Sequence, residues 1–343
     1  MGTKWADGGE DNAAAQLSAD YSVVGVSWAI GTGRRAGSSS LRTPTISTAN
    51  TLTRTIGGTE ATMFQSVALL AASLSFGTTA RSFLRFLEGA AIHLSIHLTA
   101  TGALALYRGD MTTLLGTSSV LFTAGSWSWF QIKVVIHDTT GSVEIRDASG
   151  AVLLALTGID TRNAGTGFCD TVSLGINGNS SVLVTHDYDD WHVWDSTGSI
   201  CNTWTNDTRV DHKLPDGAGN YAQFTPTAGA NYTCVDEANH NTTDYVESLT
   251  AGHMDSYTFG DIGHSPPSIF AVLRTAVAQK DDAGARSLKL LTRRSAVDYV
   301  GSAITLNQGS YVRVVDVQET DPSTSAAWTQ AGFNAAEFGI ENV

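Results

Sequence analysis

The chain has 343 residues, only 15% of them charged, and a formal net charge of −13 at pH 7. This balance argues against nucleic acid as a partner, because binding a phosphate backbone requires a positive surface, and it disfavours an anionic membrane. The length suggests two domains. With 34 glycines, six prolines and eight tryptophans and almost no sustained helical period, the composition predicts an all-β protein of short strands and many turns.

Two further classes are disfavoured by simple features. No apolar run approaches the roughly 20 residues that a membrane-spanning helix requires, and Met1–Trp5 does not resemble a signal peptide. The three cysteines, Cys169, Cys201 and Cys234, are odd in number and lack Cys-x-x-Cys spacing. We therefore expect reduced thiols in a protein that folds in a cytoplasm.

The N-terminal region begins with a polar, Ala-rich stretch, which we expect to be an extended arm or a short helix over Asp11–Leu17. Strand-like sequence starts at Tyr21–Trp28, and the glycine-rich loop Gly31–Leu41 leads into another strand. The Gly-x-Gly in this loop is not a phosphate-binding loop, because neither a Lys-Ser/Thr pair nor a helix follows it.

Three apolar segments follow. Met63–Ser75 also suits a helix, but its turn-like flanks favour a buried strand. Ile92–Leu98 alternates clearly, so its Ile and Leu side chains should face inward while His93 and His97 face outward. Two histidines four residues apart on a strand are about 13 Å apart, too far to share a metal. We therefore expect solvated surface histidines.

The most regular part of the chain is Gly125–Ile136, followed by the strand Ser142–Arg146 and the turn Asp147–Gly150. It predicts a meander of antiparallel strands in which every second residue from Phe130 to Ile136 is apolar. Trp127 and Trp129 share the opposite phase and could contact a sugar face. More often, at least one tryptophan of such a pair is buried.

A turn rich in carboxylates launches a short strand at Asp187–Asp195. Period-two alternation places Trp191 and Val193 on a core-facing side and Tyr188 and Trp194 on the other. Two aromatics on an outer face suggest a docking surface. We therefore expect a second domain or a neighbouring subunit to cover Tyr188 and Trp194.

The same acids are the best candidates for chemistry. Asp187, Asp189 and Asp190 supply hard oxygen ligands close together, which calcium prefers. The alternative, which we favour, is that they accept backbone N–H bonds and shape the turn. A glycosidase needs two carboxylates about 5 to 9 Å apart, one with a raised pKa, and neither this cluster nor Glu144 with Asp147 meets that description. We therefore assign no catalytic, cofactor-binding or metal-binding residue, and expect no cofactor and no enzyme activity.

Several motifs together carry a resemblance to a known family. They are Lys4-Trp5, Gly33 to Arg42, Gly125-x-Trp-x-Trp-x-x-Ile-x-Val134, Asp147-x-x-Gly150 and Asp189-Asp-Trp-x-Val193, then Pro215–Tyr221, Thr242–Ser248, Lys280–Arg286 and the ending from Asp321 to Trp328 and Asn334 to Gly339. In this order they resemble a laminin-G or concanavalin-like β-sandwich, in the version found in structural proteins of tailed bacteriophages. The likeness covers nearly the whole chain.

The resemblance implies an all-β architecture, a jelly-roll sandwich over residues 1–200 followed by a β-rich domain over 201–343. Independently of the resemblance, the polar, turn-rich composition of Asp195–Thr205 predicts a linker there. It implies a non-enzymatic component of a phage tail, fibre or spike that contacts other virion proteins and forms a homo-oligomer. Such a protein is assembled in the host cytoplasm and located in the virion, with neither nucleic acid nor membrane as partner. The alternatives are a glycan-binding adhesin that contacts the host surface and a capsid decoration protein, because this fold hosts many functions.

Overall fold

The computed structural model describes residues 2–10, 17–25, 27–43, 50–74, 81–177, 184–238 and 241–343. The chain divides into two compact units, Met1–Asp211 and His212–Val343. In both, the regular secondary structure is almost entirely antiparallel strand. The predicted fold class, an all-β sandwich followed by a second β-rich part, is confirmed.

The first unit contains a short helix, α1 (Leu17–Asp20), and a long series of strands. In chain order these are β1 (Thr3–Asp7), β2 (Val23–Val24), β3 (Ala29–Thr32), β4 (Ser39–Arg42), β5 (Asn50–Thr55), β6 (Thr62–Ala71), β7 (Arg81–Glu88), β8 (Ala91–Leu98), β9 (Ala103–Arg108), β10 (Thr113–Val120), β11 (Trp127–Val135), β12 (Gly141–Asp147), β13 (Val152–Ile159), β14 (Thr171–Asn177) and β15 (His186–Asp195).

These strands form two sheets. Sheet A has the order β13-β12-β11-β6-β15-β4-β3, with β1 also paired to β15, and sheet B has the order β10-β9-β8-β7-β14-β5-β2. The N-terminal stretch predicted as an arm or helix is therefore partly a sheet strand, β1. The rest of that prediction, residues 11–16, lies outside the described residues.

The core lies between the two sheets, where the predicted alternation of β11 holds. Phe130, Ile132 and Val134 are fully buried, and the Phe130 ring meets Phe83 of sheet B edge to face at 5.8 Å. Gln65 of β6 crosses the same interface, because its Nε2 donates to the Arg85 carbonyl of sheet B. The segment that suited either a helix or a strand is thus the strand β6, between β11 and β15 in sheet A.

The histidines of β8 correct the sequence prediction. His93 and His97 are 0% exposed rather than solvated. His93 Nε2 lies 3.0 Å from the Phe168 carbonyl, and His97 packs edge-on against Tyr107 at 4.7 Å. Alternation separated the two faces of β8 correctly, but it carries no information about whether the second face is covered.

A bulge in β15 changes the expected distribution of its aromatics. Asp189 pairs with Ala68 and His192 with Ser66, so two residues of β15 stand opposite one of β6. Asp190 accommodates this with φ of 53°, a conformation that aspartate tolerates better than most residues. The extra residue reverses the alternation, so Tyr188 shares the inner face with Trp191 and not the outer face with Trp194.

Trp194 is also covered differently from the prediction. It is 0% exposed, stacks on Phe64 at 5.2 Å, and donates from Nε1 to the Thr203 carbonyl. Its cover is therefore supplied by the first unit itself, through residues 196–211, which we call the covering segment. The predicted linker Asp195–Thr205 packs on sheet A, and the compact unit ends at Asp211 rather than at residue 200.

The second unit contains shorter strands around a six-stranded sheet ordered β16-β19-β27-β21-β22, with β23 paired to β21. Its elements are β16 (Pro215–Ala222), β17 (Thr225–Pro226), a 3-10 helix (Asn231–Cys234), β18 (Val246–Glu247), β19 (Met254–Phe259), β20 (Val272–Ala278), β21 (Ser287–Arg294), β22 (Val297–Val300), β23 (Ile304–Thr305), β24 (Val312–Gln318), β25 (Thr320–Asp321), β26 (Ala326–Ala327), α2 (Gln330–Asn334) and β27 (Glu337–Asn342). One core cluster gathers Trp328, Phe333 and Phe338, and another Leu288, Leu290 and Val314.

Cys169, Cys201 and Cys234 are all buried, and none of the three is joined to another in a disulfide. Burial raises the pKa of the Cys169 thiol to about 12, which leaves it protonated at neutral pH. Over the described residues, no helix is long and apolar enough to cross a membrane.

We predict that Trp191→Ala and Trp194→Ala each lower the free energy of unfolding by about 3–5 kcal/mol, because each leaves a cavity in a closed packing environment. Urea denaturation of the full chain measures both. Leu114→Ala is the control, since Leu114 is 55% exposed and its truncation should change stability by no more than about 0.5 kcal/mol. Unchanged stability of Trp194→Ala would contradict the packing described here.

Candidate functional site

The outer face of sheet A carries the only tryptophan pair that sequence analysis proposed for ligand contact. Side chains directly opposite each other in neighbouring strands share a face, so the register defines rows across β11, β6 and β15. In chain order of β11, these rows are Trp127–Leu70–Asp187, Trp129–Ala68–Asp189, Gln131–Ser66–His192 and Lys133–Phe64–Trp194.

The covering segment occupies the two rows at the Gln131 and Lys133 end. The Thr205 amide donates to Gln131 Oε1, and Thr208 Oγ1 lies 3.3 Å from Ser66 Oγ. Trp204 meets the Phe64 ring edge to face at 5.6 Å. These contacts account for the burial of the polar row on this side of the sheet.

The rows at the Trp127 and Trp129 end border an open cleft of about 340 Å³. Its lining combines aromatic, aliphatic, hydroxyl and charged groups, contributed by Arg34, Leu121, Trp127, Ser128, Trp129, Asp147, Ala148 and Ser149. Trp129 stands opposite Ala68, and the small alanine side chain leaves space above the sheet beside the Trp129 ring. The volume lies at the lower end of the range for small-ligand sites.

The two tryptophans differ in their exposure. Trp129 is 3% exposed, as expected for one member of the pair, and in the described part of the chain its indole Nε1 has no hydrogen-bond partner. Trp127 is half-buried and offers part of its ring to the cleft. The accessible part of the Trp127 ring, held beside the buried Trp129, is a suitable surface for stacking an apolar ligand face.

Asp147 is the carboxylate of the cleft and stays ionised. Its Oδ1 accepts three bonds within the β12–β13 turn, from the Ser149 amide, the Ser149 hydroxyl and the Ala151 amide. The Ser149 hydroxyl, with the backbone amides, lowers the pKa of Asp147. Because all three bonds end on Oδ1, Oδ2 can accept from a ligand.

The acids proposed as alternatives for calcium binding or turn shaping lie close to this cleft but contact protein groups. Asp187 forms a two-pronged pair with Arg42, at 2.7 and 3.2 Å. Asp189 Oδ2 accepts from the Arg34 amide at 2.6 Å, and Asp190 pairs with Arg35 and accepts from the Val210 amide. Asp189 and Asp190 thus accept backbone N–H bonds, but those from Arg34 and Val210 come from distant parts of the first unit, and the bonds of Asp187 come from side chains. Across the described residues no cluster of three or more His, Cys, Asp or Glu is arranged to hold a metal ion.

Burial makes part of this acidic group hard to ionise. Desolvation and the neighbouring Asp189 raise the pKa of Asp190 to about 6. Desolvation also raises the pKa of Asp189. Glu10, which sequence analysis did not single out, has its pKa raised to about 9 by burial and by Asp189. The native state therefore holds protons here that the unfolded chain releases.

Only part of this site is predictable from the sequence. Trp127, Trp129 and the turn position of Asp147 are predicted, and the structure brings these three together. Arg34 is not predicted, and it reaches the cleft from the glycine-rich loop between β3 and β4. The run Gly33 to Arg42 was a visible signal, but nothing local indicates that its arginines pair with acids about 155 positions away.

Comparison with known proteins does not identify a function for the chain, so the function is argued from the geometry of the cleft. No protein-family model matches the chain, and no curated protein matches it. Among solved structures, the binding domain of Paraclostridial Mosquitocidal Protein 1 is 12% identical to this chain. The alignment covers 50% of this chain and 43% of that one, with a TM-score of 0.38. The chain thus spans less than half the length of that structure.

Two shorter structures are similarly distant. The galectin LEC-6 of Caenorhabditis elegans is 12% identical over 44% of this chain and 94% of its own, with a TM-score of 0.28. Domain 4 of AbnA, a GH43 extracellular arabinanase from Geobacillus stearothermophilus in complex with arabinotriose, is 15% identical over 50% of this chain and 76% of its own, with a TM-score of 0.30. Likeness of this degree carries no argument about function.

We predict that Glu10→Gln raises the melting temperature at pH 8 by at least about 2 °C and leaves it unchanged at pH 4. Because the folded pKa of Glu10 is about 9 and its ordinary value is 4.5, the stability it contributes is complete below pH 4.5 and lost as the pH rises towards 9. Thermal melts at both pH values measure the effect. The exposed Glu247→Gln is the control, and an equal shift at both pH values would contradict the prediction.

Proposed function

We propose that the first unit is a non-enzymatic glycan-binding module whose binding site is the cleft lined by Trp127, Trp129 and Asp147. The observation that carries this proposal is the juxtaposition, in one open cleft, of a tryptophan ring and a carboxylate with a free oxygen. A sugar ring presents an apolar C–H face and a rim of hydroxyls. A ring to stack on and an acceptor at its side match both features.

The polar groups around the rings suit hydroxyl recognition. Ser128 and Ser149 line the cleft beside Asp147. Their hydroxyls donate to the Leu121 carbonyl and to Asp147, and each hydroxyl oxygen can still accept a hydrogen bond from a sugar hydroxyl. The lowered pKa of Asp147 keeps it an acceptor at neutral pH, which suits binding rather than acid catalysis, since a glycosidase acid has a raised pKa. The proposal accordingly includes no hydrolysis of the bound sugar.

The test is binding of the purified full chain to a glycan array, followed by titration of the best ligand. We expect Trp127→Ala to weaken binding at least about tenfold, because the stacking surface is lost, while the melting temperature stays near that of the wild type. Leu114→Ala, which truncates an exposed apolar residue away from the cleft lining, should bind normally. Equal binding by wild type and Trp127→Ala would remove the cleft from consideration.

We also propose, from the motif resemblance alone, that this module belongs to a tailed-phage particle. In a tail, fibre or spike it would contact other virion proteins and copies of itself, and the glycan would lie on the host surface. Capsid decoration is the alternative placement. None of the three structures reported above is named as a phage protein, so the support is the order of motifs from Lys4-Trp5 to Asn334–Gly339.

This placement predicts that the chain co-purifies with intact particles from a lysate of the bacterium that encodes it. Electron microscopy of particles labelled with antibody to the chain should show label at a defined position, and its symmetry would give the copy number. Absence of the chain from purified particles would contradict the virion proposal and leave glycan binding untouched.

A further inference from the structure

The cations around the cleft are already paired with the protein's own carboxylates. Arg34 contacts Asp190 at 3.5 Å and also pairs with Asp207. The same holds for the other arginines on this face of sheet A, each of which has an acidic partner: Arg35 with Asp190, Arg42 with Asp187 and Arg146 with Glu144. A ligand anion would have to compete with these partners for each guanidinium.

Two N–H groups of the Arg34 guanidinium, together with its backbone amide, are engaged in the same way. Its backbone amide donates to Asp189 and its two terminal nitrogens donate to Asp190 and Asp207. Its side chain is only 18% exposed. Arg34 therefore contributes shape and the flat guanidinium surface to the cleft rather than uncompensated positive charge.

Asp147, by contrast, contributes uncompensated negative charge. Its bonds come from the neutral Ser149 hydroxyl and from backbone amides, so no cation cancels its charge within the turn. The wider field has the same sign, because the chain carries a net charge of −13. An acidic ligand entering this cleft would meet repulsion from a carboxylate close by and little attraction in return.

We infer that the cleft selects uncharged glycans and excludes acidic ones, such as those that end in sialic or uronic acids. In this arrangement Asp147 Oδ2 accepts from a sugar hydroxyl and the Trp127 ring stacks on the sugar's C–H face. The inference rests on the proposed glycan binding and adds to it the chemical class of the ligand and the residue that sets it.

The experiment compares matched pairs of oligosaccharides that differ only by a terminal acidic sugar. For the wild-type full chain at about 20 mM NaCl, we expect the acidic member to bind at least about tenfold more weakly than the neutral one. Raising the salt to about 500 mM should narrow this ratio, since repulsion across a partly open cleft is screened. This salt titration needs no variant and so does not depend on any substitution being tolerated.

Asp147→Asn tests the residue itself. It should reduce the affinity for the neutral glycan about tenfold, through loss of a charge-assisted hydrogen bond, and should bring the ratio of neutral to acidic binding close to one. Asp138→Asn is the matched control, because it makes the same charge change in the same unit at an exposed carboxylate outside the cleft lining. It should leave both affinities and their ratio unchanged.

The outcomes separate the two proposals. Strong binding of acidic glycans by the wild type, or an equal loss of discrimination in Asp147→Asn and Asp138→Asn, would overturn the inference while leaving glycan binding in place. Failure to bind any glycan would overturn the proposed function itself.

Discussion

The bulge at Asp190 is the constraint on which the first unit depends. On one side β15 pairs with β6 throughout, but on the other it pairs with β4 at Asp187 and Tyr188 and with β1 from Trp191 to Trp194. The neighbour changes where Asp190 leaves the ladder with a positive φ. Its carboxylate then binds Arg35 and the Val210 amide, so a local irregularity of β15 is tied to two distant parts of the chain.

The Asp190 carboxylate also determines which part of the outer face of sheet A stays uncovered. Val210 lies at the end of the covering segment, and its bond to Asp190 fixes where that segment leaves the sheet. Trp204 and Thr205 meanwhile fill the space above Phe64 and Gln131. What remains uncovered is the end of β11 that carries Trp127. The cleft thus lies where the covering segment stops short, and the glycine-rich loop and the β12–β13 turn complete its lining.

The sequence predicts those parts of the fold that depend on local alternation. The apolar row of β11 is correct from Phe130 to Val134 because a regular antiparallel strand keeps its phase over its whole length. The face on which Tyr188 lies is predicted wrongly, because one inserted residue with left-handed backbone exchanges the inner and outer faces for the residues of β15 that precede it. Aspartate tolerates that conformation but does not require it, so the pair Asp189-Asp190 does not by itself predict a bulge.

Other parts are beyond local reasoning. His93 and His97 lie on the second face of a strand, and only tertiary structure decides whether water or protein covers that face. Arg34 and its acidic partners meet through contacts that span most of the first unit. The covering segment is polar and rich in turns, as a linker would be, and its burial depends on individual hydrogen bonds to sheet A. Polar composition therefore predicts that a segment lies at the surface, but it does not show whether the segment links two domains or packs on a sheet.

The chain contains few charged residues, so the arginine–carboxylate pairs on sheet A affect which ligands its surface can recognise. On the outer face of sheet A, arginines neutralise buried acids, because an unpaired carboxylate at Asp187 or Asp190 would cost far more than a surface ion pair returns. Little positive charge is then left for recognition. A surface built in this way has aromatic rings, hydroxyls and an occasional carboxylate such as Asp147 to offer. Those groups complement an uncharged, hydroxyl-rich partner, so the electrostatic requirements of folding and the chemistry of the cleft lead to the same class of ligand.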